Sequence, residues 1–252
     1  MDLRQAAAEL DVHYQTAYGW VRDGTLPARM LGGTYEIEPE AVAALRAERS
    51  TPRTRAPSVH VRDWDAQAER LSRLLLAGDE LGARARLDRL DSIDTVTVCD
   101  CMISPALRRV GDAWAVGKIS VAEEHRAAAI CERLLARRTS YRPGRPRGVA
   151  VVATPPREGH GLPAVMAAAV LRDDHWRVNH LGVGVPPDDL VALADAVRAD
   201  LAVLPVTMPE AAPAAERLAA RLRGAAVPTL VGRPGATLEE LVESARTVTP
   251  LR

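Results

Sequence analysis

The chain has 252 residues, more than one typical domain and fewer than three large ones, so two or three small domains are expected. Hydrophobic residues at 47% and charged residues at 26% exclude a disordered polymer. Basic and acidic side chains balance at 33 each, which excludes attraction to nucleic acid by bulk charge and leaves a local surface as the only route to such a contact.

The three cysteines, Cys99, Cys101 and Cys131, are odd in number and form no C-x-x-C pair, which argues against a disulfide framework and against structural zinc. Asp2 and Arg4 interrupt any signal-peptide core, and no apolar run approaches the length of a membrane span. The expectation is a cytoplasmic protein without a membrane partner.

In chain order, Leu3 to Leu10 and Tyr14 to Asp23 read as two short helices around a turn at Asp11-Val12-His13, with Leu3, Ala7, Leu10, Val12, Ala17 and Val21 as their shared core. Gly24 stops the second helix. Leu31 to Ile37 contains Gly32-Gly33 and then alternates, the pattern of a small β-wing. Pro39 opens a helix to about Ala47. Residues 49–62, with two prolines and four arginines and no hydrophobic period, read as a linker. Four amphipathic helices follow, Trp64 to Ala77, Asp79 to Leu90, Thr95 to Trp114 and Val121 to Arg137, as expected of a helical bundle.

After Arg142 to Arg147 the pattern changes to alternating strand and helix. Strands are predicted at Gly148 to Thr154, Trp176 to Leu181, Leu201 to Val206 and Thr229 to Gly232. Helices are predicted at Leu162 to Arg172, Asp188 to Arg198, Ala211 to Arg223 and Leu238 to Arg246. Such alternation predicts a doubly wound parallel sheet, whose ligands bind outside the carboxyl ends of the strands. The loop Pro155 to Gly161 is therefore the place to look. There Glu158 precedes His160 by two residues, a spacing that lets the carboxylate hold one ring nitrogen and present the other outward. His13, His60, His175 and His180 have ordinary readings as turn, linker or surface residues, and the cysteines as buried packing.

Glu158-x-His160 resembles the E-x-H-x-x-G variant of the cobalamin-binding fingerprint, and Leu181-Gly182-Val183-Gly184-Val185-Pro186 matches that family's L-G-x-x-V-P. The resemblance implies His160 as the ligand to the cobalt of cobalamin, with Glu158, Leu181, Gly182, Val185, Thr207 and Gly232 around the cofactor. Trp114, nine residues, then Glu124-His125 is similar to the W-x9-E-H motif of the CarH/LitR-type cobalamin-dependent photoreceptor regulators, and implies that the bundle caps the upper face of adenosylcobalamin. Residues 1–48 resemble the winged helix-turn-helix of MerR-like DNA binders. That likeness implies a double-stranded DNA operator contacted through Tyr14, Gln15, Thr16, Tyr18, Arg22 and Arg29, and a homo-oligomer.

The expected architecture is thus multidomain: a winged helix-turn-helix at 1–48, a linker at 49–62, a four-helix-bundle cap at 63–141 and a Rossmann-like, doubly wound parallel α/β sheet at 147–252. The chain is expected to act as a regulator, not as an enzyme. Four positions depart from the family pattern. Pro163 replaces the last Gly of the fingerprint, Pro205 or, with a shift, Thr207 falls at the small residue of S-x-L, and Arg233 follows Gly232 in place of a second Gly. These would narrow the tunnel for the cofactor's nucleotide tail. Ala115 stands where several light-sensing members carry a His. Two other readings stay open: a degenerate sensor for another ligand or a protein partner, and a corrinoid carrier in methyl transfer.

Overall fold

In the computed structural model the described residues are 1–10, 12, 14–22, 24–31, 34–50, 63–138 and 144–248. The expected turn residues Asp11 and His13, the wing residues Gly32 and Gly33, the linker from residue 51 with His60, and residues 142–143 of the Pro/Gly/Arg segment lie outside them. The chain divides into two units, Met1–Val59 and His60–Arg252.

In the first unit, α1 (Leu3–Glu9) opens with a capping box: Gln5 N donates to Asp2 Oδ1 at 2.8 Å and Asp2 N to Gln5 Oε1 at 3.0 Å. Leu3, Ala7 and Leu10 bury against Ala17 of α2 (Tyr14–Arg22), together with Leu26, Ile37 and Val42. The expected wing is the antiparallel pair β1 (Arg29–Leu31) and β2 (Thr34–Glu36), with Met30 opposite Tyr35. Helix α3 (Pro39–Ser50) runs past the expected linker boundary at residue 49, because Ala47, Glu48 and Arg49 are good helix formers.

In the second unit the bundle is built from α4 (Trp64–Ala77), α5 (Glu80–Asp88), a broken third rod, and α8 (Val121–Arg138). The third rod corrects the expected single helix from Thr95 to Trp114. It consists of α6 (Thr95–Val98), a π-helical turn at Cys99–Ile103, and α7 (Ser104–Ala115). Pro105 explains the break: it has no N–H to offer the carbonyl of Cys101, and its ring would clash there. One extra residue is therefore accommodated, and Ser104 N donates back to Cys99 O.

The sheet follows the expected alternation: β3 (Val149–Val152), α9 (Leu162–Asp173), β4 (Arg177–His180), α10 (Pro187–Ala196), β5 (Leu201–Leu204), α11 (Ala212–Gly224), β6 (Thr229–Val231) and α12 (Leu238–Val248). Strand order is β4-β3-β5-β6, all parallel. Period-two alternation sends Ala150 and Val152 of β3 toward Ala164, Ala167 and Leu171 of α9, and Val151 toward Leu190 of α10 and Leu218 of α11. Each buried Leu or Val contributes about 1.5–3 kcal/mol, so both faces are driven closed. The chain reverses direction across the sheet between β3 and β5, which opens the crevice at their carboxyl ends.

Two contacts fix how the bundle lies on the sheet. Thr95 N donates to Asp173 Oδ2 at 3.5 Å, and Ser104 Oγ lies 3.8 Å from Met166 Sδ. The third rod therefore runs antiparallel to α9. Ten further residues carry it about 15 Å to Trp114, whereas α9 extends only about 6 Å from Met166 to its first residue, Leu162. The end of α7 overhangs the carboxyl edge of the sheet on the side where His160 precedes α9. At the sheet's flank, Asp100 of the π turn accepts from Leu238 N at 3.0 Å and Glu239 N at 3.0 Å and so caps α12 from the bundle.

Candidate corrinoid site

Glu158 organises the loop after β3. Its side chain is 1% exposed, a burial that by itself favours the neutral form. Met208 N at 2.8 Å and Thr207 N at 2.7 Å donate to Oε2, and His160 N donates to Oε1 at 3.0 Å. These donors outweigh the burial and hold the carboxyl below the ordinary carboxylate range. The loop after β5 is thereby locked to the loop after β3, across the switch point of the sheet.

His160 Nδ1 lies 2.8 Å from Glu158 Oε1, as the E-x-H spacing predicted, and 3.0 Å from Thr207 Oγ1, which itself donates to Glu158 Oε1 at 3.0 Å. An ionised carboxylate on Nδ1 keeps the ring proton there and leaves the lone pair on Nε2. The ring is 60% exposed and its Nδ1 edge is the one engaged by Glu158 and Thr207, which leaves the Nε2 edge for a ligand. Thr207, and not Pro205, is thus the residue brought to the histidine. Pro205 sits half-buried at the end of β5, against Gly232.

The cap residues stand at the junction of α7 and α8. Ala106, Val110 and Trp114 form an i, i+4 stripe whose first two members are buried, at 0% and 2%, whereas Trp114 is 49% exposed. The stripe that builds the bundle core therefore ends in a residue that the fold covers only by half. Val116 and Val121 beside it are exposed as well. Glu124 Oε2 meets His125 Nδ1 at 2.7 Å, and the His125 ring is 75% exposed.

The remaining predicted residues divide into contact and scaffold. Leu181 and Val185 pack half-buried against the α10–α11 core, and Gly182, at φ +71°, accepts Thr154 N at 3.1 Å. Gly232 is needed for a close backbone approach: a Cβ there would lie 2.9 Å from Val206 N and 3.1 Å from Pro205 Cα. Pro163 occupies the first turn of α9, where a missing N–H costs nothing. The Arg233 side chain is 77% exposed and pairs with Glu240 of α12 at 3.6 Å. The proposed crowding by Arg233 is therefore relieved by an outward ion pair.

Sequence reasoning missed Val183, which stands exposed 3.5 Å from the Cβ position of Gly161, and the two backbone donors of residues 207 and 208. Backbone donors leave no mark in residue identity. Sequence reasoning also misplaced His180. Instead of an ordinary surface residue, it is the last residue of β4, half-buried with Nε2 enclosed, and burial followed by the nearby Arg172 cation lowers its pKa. Cys99 and Cys131 are buried, as expected, and burial pushes both thiols up to about 12.

On the first unit, Tyr14, Thr16 and Arg29 are exposed, while Tyr18 is half-buried. Tyr18 stacks on Tyr14 with centroids 6.4 Å apart and meets Tyr35 of the wing edge-on at 6.0 Å, so it braces helix against wing. The side chains of Gln15 and Arg22 lie outside the described set.

A single outward imidazole fixed by a carboxylate, below an overhanging Trp, suits a metal whose equatorial ligands come from a macrocycle. Residues 67–139 and 148–246 each match a B12 binding domain, and residues 1–50 match a helix-turn-helix domain. This is the domain order of the CarH/LitR-type cobalamin-sensing regulators. Regulators of this type bind and respond; their architecture is not that of a catalyst.

No curated protein matches the chain. Among solved structures, the monomethylamine corrinoid protein of Methanosarcina barkeri is similar at 14% identity and TM-score 0.59, covering 73% of this chain and 98% of its own, which is a likeness of fold. A cobalamin-binding protein of Desulfitobacterium hafniense DCB-2 aligns at 15% identity and TM-score 0.37, covering 74% of this chain and 98% of its own. The methanol:cobalamin methyltransferase complex of M. barkeri aligns at 14% and 0.37, covering 73% and 80%.

Proposed function

We propose that the protein is a cytoplasmic, DNA-binding transcription regulator that senses adenosylcobalamin, and light through it, and binds operator DNA as a homo-oligomer. The observation that carries this reading is the Glu158–His160 pair at the sheet's carboxyl edge, below the overhanging Trp114, in a chain that also holds a helix-turn-helix unit. His160 Nε2 would hold the cobalt. Trp114 and Glu124 would cover the opposite face. Bound adenosylcobalamin supplies a cobalt–carbon bond that visible light breaks.

The protein's part is to let its cap respond. Trp114 stands half-exposed at the end of an otherwise buried stripe, so its packing depends on what lies beneath it. The two states are the docked and undocked arrangements of cap and sheet, and a ligand that contacts both surfaces biases them. Ala115 has no donor atom, whereas the His125 ring is exposed and would be able to offer a nitrogen to the bound group from the cap.

The test adds adenosylcobalamin to apo-protein in darkness and follows the absorption spectrum and the retention of a random-sequence duplex pool, before and after illumination. The expected result is a changed cofactor spectrum on binding, DNA held in the dark and released in the light. A bound cofactor whose spectrum and DNA retention ignore light would remove the photoreceptor function and leave a cobalamin sensor.

A further inference from the structure

Four described non-glycine residues have positive φ: Arg157 at 74°, His175 at 66°, Arg198 at 51° and Ala226 at 59°. Three have one structural cause. His175, Arg198 and Ala226 follow the ends of α9, α10 and α11, where the chain turns back into a strand, and their N–H groups donate to Arg172 O, Asp195 O and Arg223 O of those helices. A left-handed residue is the usual way to close a helix.

Arg157 has no such cause. It follows a strand instead of a helix, at the carboxyl edge of the sheet, in the turn Pro155-Pro156-Arg157-Glu158 closed by Glu158 N on Pro155 O at 3.1 Å. Pro156 sets the first central residue, and the positive φ at the second makes this a type II turn, the position where Gly is favoured. The chain places its bulkiest cation there. The guanidinium is exposed, and among the described residues it has no hydrogen-bond or ion-pair partner. Strain at a ligand-side loop that the fold does not require points to a contact made by that side chain.

The direction of that contact follows from its neighbours. Arg157 is joined to Glu158, which is anchored inward, and stands exposed three residues before His160 in the same loop at the carboxyl edge of the sheet. A cobalamin presents neutral amides around its ring; its one anionic group is the phosphodiester of the nucleotide tail. With His160 on the cobalt in place of the tail's own base, the displaced tail would leave the ring on the His160 side, where the loop that carries Arg157 stands. We propose that Arg157 binds the phosphodiester of the corrinoid's nucleotide tail and so makes the site prefer complete cobalamins to corrinoids that lack it. This rests on the cobalamin reading above and adds a specificity residue to it. A planar, always-charged fork is the side chain suited to a phosphate.

The experiment titrates the full-length protein and its R157A, R157K and R157G variants with aquocobalamin and with aquocobinamide, which keeps the ring but lacks phosphate and base. For R157A the cobalamin Kd is expected to rise about three- to tenfold, with the cobinamide Kd within about twofold of wild type. R157K recovers part of the difference, and high salt erases it. R157G melts above R157A, because the strained φ is relieved while the charge is equally absent. Equal weakening of both corrinoids in R157A, or no change in either, overturns the proposal. If wild-type protein binds neither corrinoid, the cobalamin reading itself fails, and Arg157 falls with it; binding of both with no Arg157 dependence removes only the present inference.

Discussion

Glu158–His160 and Glu124–His125 are the same two residue types joined through the same atoms, carboxylate to Nδ1, at 2.8 and 2.7 Å. Their anchoring is opposite. Glu158 is enclosed and receives three backbone N–H groups and a hydroxyl from two loops. Glu124 and His125 are neighbours on the first turns of α8, and among the described residues their side chains hydrogen-bond to each other alone. The sheet-side histidine is held by a carboxylate anchored from two loops; the cap-side one is 75% exposed and held by its chain neighbour alone. A sensor needs both properties: a fixed donor that positions the cofactor, and a compliant cover whose packing reports what lies on it.

The largest expected separation between the pairs is at the imidazoles. H160A removes the sheet-side donor and is expected to weaken aquocobalamin binding about 100-fold or more and abolish the histidine-bound absorption spectrum, whereas H125A shifts affinity by about threefold or less. Comparable losses in the two variants would make the pairs equivalent and break the contrast.

Next come the carboxylates. E158Q turns an acceptor toward five donors into a group that carries donors of its own, with an expected loss of about 2–4 kcal/mol in urea unfolding. E124Q is expected to stay within about 0.5 kcal/mol. The pH dependence sharpens this. The Glu158 carboxyl is held below its ordinary value in the folded state, so its stabilisation is fully present above the unfolded carboxylate pKa and fades as pH falls through the lower folded value. The stability gap between wild type and E158Q should be constant near neutrality and close in acid. A gap that persists to strongly acid pH would mean that the charge of Glu158 is not what holds the loops.

Below E158Q in size comes the scaffold behind the rigid pair. G232A places a methyl 2.9 Å from Val206 N, which cannot give way as a side chain would, so about 1–3 kcal/mol of destabilisation is expected by thermal unfolding. Unchanged stability would show that the β5 end can move, and with it the Thr207 and Met208 donors.

Much of this was legible in residue patterns. The strand-helix alternation from residue 148, the helix spans at Trp64–Ala77 and Val121, and the Glu158–His160 contact follow from periods of 2 and 3.6 and from a two-residue spacing, all local properties. Where reading failed, a neighbour decided. Pro105 forced the π turn, and with it the placement of Asp100 at the start of α12. Arg233 found Glu240, so its bulk turned outward. His180 was enclosed by packing that no local pattern announces.

The sequence by itself determined which elements form and which two residues would meet at the edge of the sheet, because both are set within a few positions along the chain. Only the tertiary structure decided that Thr207, rather than Pro205, reaches His160, and that Trp114 is left half-exposed at the end of a buried stripe. It also decided that Glu158 is enclosed by donors from two loops, whereas Glu124 meets its chain neighbour His125. Each of these depends on the register between elements distant in sequence, fixed by contacts such as Thr95 with Asp173 and Ser104 with Met166. The folded packing sets that register.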